Sequence, residues 1–335
     1  MKKTLVVGPS WVGDMVMAQG LFKVMKEGAD RVEISVLAPR WSEPILERMP
    51  EVARSIEMPV GHGVLQLGIR RKIARSVRRY DFDQAIILPG SLKSALIPWL
   101  AGIPRRTGFV GEQRWGLLND IRKLDEKRMP RHIQRYISLG LDKGHAVAGR
   151  LPRPSLQVDR SGLETALDRF KLDTSRPIVA FCPGAEYGPA KRWPARYFAE
   201  VARRKISQGW QVWLFGSGND REITEEIDTL SGGACTNLAG RTSLGEVVDL
   251  MSVAKYVVTN DSGLMHIGAA TGCHVIAIYG SSGMKFTPPL TDKCNILSLG
   301  LSCSPCFKRE CPLRHMNCLN QLSPDLVLDC IGQSG

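Results

Sequence analysis

The sequence has no long hydrophobic run. Although 43% of its 335 residues are hydrophobic, no stretch reaches the roughly 18 uncharged apolar residues that a membrane-spanning helix needs. Met1-Lys2-Lys3 leads only into a short apolar run that ends at Gly8, which does not fit a secretory signal peptide. We therefore expect neither an export signal nor a membrane span, and we expect the protein to be cytoplasmic.

The cysteines do not show the pattern of a disulfide framework. Their number, nine, is odd, and a long chain without an export signal is expected in a reducing compartment. Four of them fall within sixteen residues, at Cys303, Cys306, Cys311 and Cys318. This spacing is not the doubled Cys-x-x-Cys of a zinc ribbon. It is compatible with a structural zinc or iron–sulfur site and equally with four free thiols in a loop.

Internal repeats and low-complexity segments are also absent, and the chain instead alternates short apolar runs with longer amphipathic stretches. This alternation predicts βαβ units with parallel sheets. Strands are predicted at residues 3–8, 32–38, 84–88, 178–182, 211–215, 256–259 and 275–279. Because the chain is longer than one hydrophobic core usually grows, we expect a first domain over residues 1–155, a linker over 156–175 and a second domain over 176–335.

The positive charge is concentrated in the first half of the chain. Of the formal net charge of +12, residues 1–150 contribute +11. Such an asymmetry favours an anionic partner for the first half, such as a phosphorylated ligand, a nucleic acid or an anionic membrane surface. The alternative is that the charges only keep the protein in solution.

The turn after the first predicted strand reads Gly8-Pro9-Ser10-Trp11-Val12-Gly13-Asp14 and matches neither the dinucleotide fingerprint nor the P-loop. A carboxylate at this place would repel a phosphate, whereas it can accept a proton from a hydroxyl nucleophile. Asp14 is therefore either a general base or a helix-capping residue.

An arginine-rich amphipathic helix is predicted at residues 69–79. Its apolar face holds Ile69, Ile73 and Val77, and its basic face holds Arg71, Arg75 and Arg78. The basic face can contact a phosphorylated headgroup or an anionic membrane, or it can be an ordinary solvated face. Further arginines that suit carboxylate or phosphate oxygens follow at Arg105, Arg106, Arg114, Arg122, Arg131 and Arg135.

Predicted strands of the second half end in polar turns, which is where open α/β sheets bind ligands. The first turn, residues 183–194, contains Lys191, which either neutralises a leaving diphosphate or is a surface charge. The second turn begins with Gly216-Ser217, which either approaches a ribose or base closely or is only a tight connection.

The third turn precedes a helix of small residues. Ser262-Gly263 opens this helix, and the amides of its first turn can hold a pyrophosphate without a metal. Asp261 and His266 lie beside this helix start in the sequence. They are either ligand contacts or a capping aspartate and a packed histidine.

Four segments together resemble the ADP-heptose:lipopolysaccharide heptosyltransferases of glycosyltransferase family 9, and within that family the type II enzymes most closely. The segments are GPSWVGD at 8–14, RRTG at 105–108, PGAEYGPAKRWP at 183–194 and TNDSGLMH at 259–266. They occur in the order expected of the family and span nearly the whole chain. The clustered cysteines are not part of the resemblance.

The resemblance implies an α/β fold of the GT-B type, with two Rossmann-like domains whose parallel sheets face a central cleft. It implies inverting transfer of L-glycero-D-manno-heptose from ADP-heptose to the heptosyl-Kdo-lipid A inner core, without a cofactor. It also implies an enzyme peripheral to the cytoplasmic face of the inner membrane. Kdo carboxylates and lipid A phosphates would be the anionic partner of the basic first half.

The expected residue roles combine the resemblance with the charge and turn patterns described above. Asp14 is the expected general base, and Lys191 is expected to stabilise the departing diphosphate. Donor contacts are also expected at Gly184, Glu186, Gly216, Ser217, Asp261, Ser262, Gly263 and His266. Acceptor contacts are expected at Ser10, Trp11, Arg70, Arg71, Arg105, Arg122 and Arg135.

Three other functions stay open. A type I heptosyltransferase would act on Kdo-lipid A itself. A nucleotide-sugar epimerase can share the fold, but it needs no anionic acceptor site, so the charge asymmetry would be unexplained. A nucleic-acid-binding protein would explain the charge, yet the arginine-rich stretch has no interleaved aromatic residues. We therefore do not expect a nucleic-acid partner.

Overall fold

The computed structural model describes residues 1–28, 31–60, 64–145, 147 and 149–332. The chain divides into two compact units, Met1–Pro154 and Ser155–Gly335. In the described ranges, every helix is too short or too polar to cross a membrane.

The first unit consists of a six-stranded sheet and its flanking helices. The strands are β1 (Lys2–Val7), β2 (Val32–Ala38), β3 (Val52–Glu57), β4 (Gln84–Ile87), β5 (Arg105–Phe109) and β6 (Asp120–Arg122). The helices are α1 (Val12–Glu27), α2 (Glu43–Leu46), α3 (Leu67–Arg78), α4 (Leu92–Leu100) and α5 (His132–Gly140). All strands pair in parallel, in the order β3-β2-β1-β4-β5-β6.

The second unit has the same arrangement. Its strands are β7 (Ile178–Cys182), β8 (Gln211–Leu214), β9 (Thr236–Asn237), β10 (Tyr256–Asn260), β11 (His274–Ile278) and β12 (Cys294–Leu297). Its helices are α6 (Arg160–Phe170), α7 (Ala195–Ser207), α8 (Arg221–Leu230), α9 (Leu244–Met251), α10 (Gly263–Ala270), α11 (Asn317–Asn320) and α12 (Pro324–Gly332). The parallel order is β12-β11-β10-β7-β8-β9.

Both sheets therefore have the strand order 3-2-1-4-5-6 when the strands are counted within each unit. This is the Rossmann strand order. The first three strands are added in one direction across the sheet, and the fourth to sixth strands are added in the other direction, so the order reverses between the first and the fourth strand. The prediction of two Rossmann-like units with parallel sheets is confirmed. In such sheets, ligands bind beyond the carboxyl ends of the strands near that reversal.

The predicted strands are the buried ones. β4, β7 and β10 are buried along their whole length, because helices cover both faces of a parallel sheet. The five strands that the apolar runs did not predict are β3, β5, β6, β9 and β12. They are partly exposed, so their sequences lack a continuous apolar run.

Helix α3 differs in one respect from its prediction. Ile73 and Val77 are buried as expected, but Ile69 is exposed and Arg70 is buried instead. At 100° per residue, Ile69 lies about a quarter turn from the centre of the buried face, so the first turn of the helix places it at the solvent boundary.

The segment expected to be a linker, residues 156–175, contains α6. This helix belongs to the second unit, where it contacts α9. The backbone N–H of Asp159 donates to Asp249 (3.0 Å), and Arg169 pairs with Glu246 (2.7 Å). The polar character of the segment therefore reflects a surface helix with specific partners.

Candidate functional site

The polar turns of the second unit lie at one edge of its sheet. Cys182 and Ala277 are both in register with Thr259, on either side of β10. The loops that follow β7, β10 and β11 therefore begin side by side. This alignment brings the predicted donor residues that follow β7 and β10 to the ligand-binding edge of the sheet. The pairing of Phe181 with Leu214 places those that follow β8 at the same edge.

Lys191 and Asp261 form an ion pair at this edge. The distance between Nζ and Oδ2 is 2.6 Å, and the two side chains are 18% and 7% exposed. Lys191 ends a 3₁₀ turn in the loop after β7, whereas Asp261 directly follows β10. Because an ammonium group has three N–H donors, Lys191 has further donors for a ligand while Asp261 holds it in position.

Asn260 fastens the same two loops together. Its side chain is fully buried. Its Oδ1 accepts the backbone N–H of Trp193 (3.0 Å), and its Nδ2 donates to the carbonyl oxygen of Pro183 (2.6 Å). The residue-by-residue prediction did not include Asn260, although its place between a buried strand and Asp261 is a usable signal.

His266 lies in the first turn of α10 and is almost fully buried. Burial, which disfavours the charged imidazolium, lowers its pKa to about 4; the carboxylate of Asp261 opposes this shift and the ammonium of Lys191 adds to it. The imidazole is therefore neutral at neutral pH. A neutral imidazole can donate one hydrogen bond and accept another.

The first turn of α10 has no side-chain cap. Ser262 occupies the N-cap position in an extended conformation and makes no capping hydrogen bond. The oxygen of its hydroxyl is 3.4 Å from that of Thr259. An uncapped helix N-terminus next to a lysine favours an anion.

Asp220 joins the loops after β7 and β8. A Cβ atom on Gly184 would lie 2.3 Å from its Oδ1, and one on Gly216 would lie 2.7 Å from its Cβ. Its Oδ2 accepts the N–H of Ser217 at 2.8 Å. The two glycines are therefore required for close packing around Asp220. The backbone N–H of Ser217 is already bonded to Asp220. Glu186, by contrast, is exposed.

Three buried polar atoms near this edge have no hydrogen-bond partner among the described residues. They are Nε of Arg192 and the hydroxyl oxygens of Ser281 and Ser282. Arg192 follows Lys191, and the two serines come shortly after β11. Because buried polar groups are nearly always satisfied, these atoms are candidate ligand contacts that the residue-level prediction missed.

The segment of residues 303–318, called here the cysteine segment, contacts the loop that carries Lys191. Tyr187 donates its hydroxyl hydrogen to the carbonyl of Phe307 (2.9 Å). Arg309 donates from Nε to the carbonyl of Tyr187 (2.7 Å), and its own carbonyl accepts the N–H of Ala190 (3.1 Å). The cysteine segment therefore holds the Lys191 loop through backbone groups on both sides of Gly188.

This contact is tight. A Cβ atom on Gly188 would lie 2.5 Å from the carbonyl oxygen of Arg309. The ring of Tyr187 lies under two cations, with its centroid 5.2 Å from Lys191 Nζ and 5.6 Å from the guanidinium carbon of Arg309. The cysteine segment thus contributes to the position of Lys191.

The four clustered cysteines line one small cavity together with His315. Its volume is about 20 Å³, which is room for one water-sized guest. In the described part of the chain, no group of three or more His, Cys, Asp or Glu side chains is placed to hold a metal ion. The side-chain positions therefore do not support the predicted metal site.

In the first unit, Asp14 occupies the first turn of α1. The N-cap of this helix is Trp11, which is half exposed, so Asp14 is not the capping residue. Its Oδ1 lies 3.8 Å from Nε2 of His132, at the start of α5. His132 was not among the predicted residues, and only the tertiary contact between α1 and α5 identifies it.

Ser10 is exposed beside a cavity at the carboxyl ends of β1 and β2.

Most of the arginines expected to contact the acceptor have partners within the first unit. Arg70 donates to the carbonyls of residues 64, 65 and 93, and burial lowers its pKa. Arg105 and Arg122 both form ion pairs with Asp120. Burial alone would raise the pKa of the Asp120 carboxyl, but hydrogen bonds from these two guanidinium groups help to lower it to about 2. Arg135 lies 3.4 Å from Glu126. Arg71 alone among the five is exposed without such a contact in the described ranges.

The chain is similar to heptosyltransferases in a family comparison, in sequence and in structure. The model of "Glycosyltransferase family 9 (heptosyltransferase)" matches residues 70–317. The chain is 45% identical to lipopolysaccharide heptosyltransferase 2 of Escherichia coli K12, covering 98% of this chain and 97% of the relative. It is 46% identical to lipooligosaccharide heptosyltransferase 2 of Haemophilus influenzae, covering 88% of each. The solved structure of the E. coli ADP-heptose LPS heptosyltransferase II superposes with a TM-score of 0.88, at 42% identity, covering 99% of this chain and 98% of that one.

Proposed function

The chain belongs to glycosyltransferase family 9, the heptosyltransferases, and we propose that it moves the heptose of ADP-heptose onto the heptosyl-Kdo-lipid A inner core with inversion of the anomeric carbon. It is a glycosyltransferase of the GT-B type that acts in lipopolysaccharide synthesis. Both curated relatives named above carry the type 2 designation, which supports a heptosylated acceptor over Kdo-lipid A alone.

The observation that carries the proposed donor site is the convergence of Lys191, Asp261 and the first turn of α10. A diphosphate placed there would meet an ammonium group held by a carboxylate at 2.6 Å and the positive end of a helix. The buried donor of Arg192 lies in the loop that carries Lys191, and neutral His266 lies in the first turn of α10. This combination supports binding of ADP without help from a divalent cation.

The proposed reaction is a single displacement. The acceptor hydroxyl loses its proton to a carboxylate of Asp14, and its oxygen forms a bond to the anomeric carbon of the heptose. The bond between that carbon and the diphosphate oxygen breaks, and its electron pair leaves with ADP. Lys191 and the amides of α10 stabilise the charge that develops on the diphosphate.

The first unit is proposed to hold the acceptor. Ser10, Trp11 and Arg71 are exposed and are the proposed direct contacts. Arg70, Arg105, Arg122 and Arg135 have internal partners, so their proposed role is to fix the loops that surround the acceptor. The charge of +11 on residues 1–150 supports an anionic acceptor.

A location at the cytoplasmic face of the inner membrane is part of the proposal. An acceptor anchored in a bilayer requires the enzyme to work at its surface, and a basic first half is attracted to anionic lipid headgroups. Flotation with anionic and neutral vesicles measures this association. Equal recovery with both vesicle types, or with neither, would count against it.

A structural metal in the cysteine segment is a separate proposal. It starts from the sequence spacing of the four cysteines, which line one cavity with His315, and it requires their side chains to turn toward a common ion. Metal analysis of the full-length protein, purified without a metal-affinity step, tests it. A stoichiometric zinc or iron content supports a site, and a metal-free, fully active protein rules it out.

One assay tests the proposed function directly. The purified chain is mixed with ADP-heptose and a mono-heptosylated Kdo-lipid A acceptor in the presence of chelator. We expect the acceptor to gain the mass of one heptose and an equal amount of ADP to be released. Transfer to Kdo-lipid A but not to the heptosylated acceptor would identify a type I activity, and conversion of ADP-heptose without acceptor would indicate an epimerase.

A further inference from the structure

The first unit has a cavity whose lining does not include the proposed direct acceptor contacts Ser10, Trp11 and Arg71. It lies beyond the carboxyl ends of β5 and β6, where Phe109 and Arg122 line it, and it has a volume of about 730 Å³. Ligand pockets in proteins typically have roughly 300–1,000 Å³. The cavity is thus large enough for a ligand, and it opens at the edge of the sheet where ligands bind.

Much of the lining of this cavity is apolar. The group called here the apolar wall consists of Val110, Trp115, Ile121, Met129 and Val147. Trp115 is 64% exposed, and Val110 is 38% exposed. An indole that leaves most of its surface in water beside other apolar side chains favours a partner that covers it.

The lining also contains two exposed lysines, called here the basic rim. They are Lys123 and Lys143, which have no acidic partner in the described ranges. The acidic residue of the lining, Asp125, is already engaged, because it accepts the N–H of Lys127 (3.1 Å) and pairs with Arg128 (3.6 Å). The charge that a ligand meets at this rim is therefore positive.

We infer that this cavity binds an anionic amphiphile, namely a phosphate-bearing acyl portion of the acceptor lipid. A hydrocarbon chain would cover Trp115 and Val110, and the phosphate would lie between Lys123 and Lys143. This inference rests on the proposed function, since it names the part of the acceptor that the first unit recognises beyond the sugar.

The observations favour this occupant over others of similar charge. A bare sugar phosphate would leave the apolar wall uncovered, and a nucleic acid would need a longer basic track than one cavity provides. A flat membrane surface could not fill a concave space. A single lipid with an apolar chain and a charged head satisfies both the wall and the rim.

Direct binding tests the inference independently of catalysis. The full-length chain is titrated with monododecyl phosphate, below its micelle concentration, in a calorimeter. We expect binding that inorganic phosphate and the uncharged dodecyl maltoside do not reproduce. Trp115→Ser, and separately the pair Lys123→Gln and Lys143→Gln, should each weaken it roughly tenfold or more. Trp99→Ser, which alters another half-exposed indole outside the cavity, should leave it unchanged.

A second measurement compares acceptors. The wild type should show a higher kcat/KM for the acylated acceptor than for its fully deacylated form, and Trp115→Ser should remove this preference without changing the rate on the deacylated form. An active enzyme with no preference and no dodecyl phosphate binding would overturn the inference while leaving heptosyl transfer intact. Binding to anionic vesicles that Trp115→Ser does not weaken would point to a membrane surface and would also overturn it.

Discussion

At the scale of single residues, the ion pair of Lys191 and Asp261 affects stability, and its proposed function is to bind the diphosphate. Removing one partner of a buried pair leaves the other charge uncompensated, whereas replacing both by neutral groups is often tolerated. Lys191 is 18% exposed and Asp261 7% exposed. The effect of a single substitution is therefore smaller than in a fully dry interior.

We predict that Lys191→Met destabilises the protein by roughly 2 kcal/mol and lowers kcat about 10²–10³-fold, because the developing charge on the diphosphate loses its donor. The double variant Lys191→Met with Asp261→Asn should recover stability but not activity. Urea unfolding and ADP release measure the two effects. Recovery of activity in the double variant would show that Lys191 is only a structural partner of Asp261. Lys255→Met, at an exposed lysine, is the control.

Asp14 is the residue on which the proposed chemistry of the first unit depends. Asp14→Asn keeps the shape of the side chain and removes its basicity, so turnover should fall about 10²–10⁴-fold with little change in KM for ADP-heptose. Single-turnover ADP release measures this loss, and the thermal midpoint checks the fold. A folded variant with wild-type turnover would exclude Asp14 as the base.

His266 makes stability depend on pH. Its pKa in the folded state, about 4, is below the ordinary value of 6.5, so the unfolded chain takes up the proton first as the pH falls. The contribution of neutral His266 to the free energy of unfolding is therefore complete above pH 6.5 and is lost as the pH drops toward 4. When the pH is lowered from about 7.5 to 5, we expect the free energy of unfolding to fall by about 2 kcal/mol in the wild type. The His266→Gln variant should not show this fall. Parallel pH profiles in urea unfolding for both proteins would contradict the burial argument.

At the scale of elements, the loop after β7 depends on its contact with the cysteine segment. Because a Cβ on Gly188 would lie 2.5 Å from a backbone oxygen of Arg309, Gly188→Ala must displace one of the two backbones. We expect a loss of about 1–3 kcal/mol of stability and a raised KM for ADP-heptose, since the loop carries Lys191. Steady-state kinetics and thermal unfolding measure both.

Gly68→Ala is the matched control for this prediction. Nothing lies within 4 Å of the added Cβ at this position, which is in the first turn of α3. It should leave the kinetics unchanged. An equal rise in KM for Gly68→Ala and Gly188→Ala would mean that the loop contact has no special role.

At the scale of the whole molecule, the uneven charge should appear as an uneven response to salt. Raising NaCl from about 0.05 to 0.5 M shortens the screening length to a few ångström. The KM for the anionic lipid acceptor should rise roughly tenfold, because the first half carries the net charge. The KM for ADP-heptose should change much less, since Lys191 is largely buried. Equal changes in both KM values would contradict the division of roles between the two units.

Several features were determined by the sequence alone. The apolar runs located the buried strands β1, β2, β4, β7, β8, β10 and β11, because a strand buried on both faces must be continuously apolar. The turns after them identified Lys191, Asp261 and His266 as site candidates. The resemblance carried by four motifs led to the family, which the comparisons confirmed.

Other features were decided only by the tertiary structure. β3, β5, β6, β9 and β12 form because a neighbouring strand supplies hydrogen-bond partners, and their own sequences carry no apolar run. The sequence also did not show which arginines are available to a ligand. In the structure, Arg70 donates to backbone carbonyls and Arg122 donates to Asp120. Likewise, the approach of His132 to Asp14 joins residues far apart in the chain. The periodicity of apolar residues in the sequence shows which face of a helix or strand is buried. The hydrogen-bond and ion-pair partners of a side chain depend instead on which helices and strands the fold brings together.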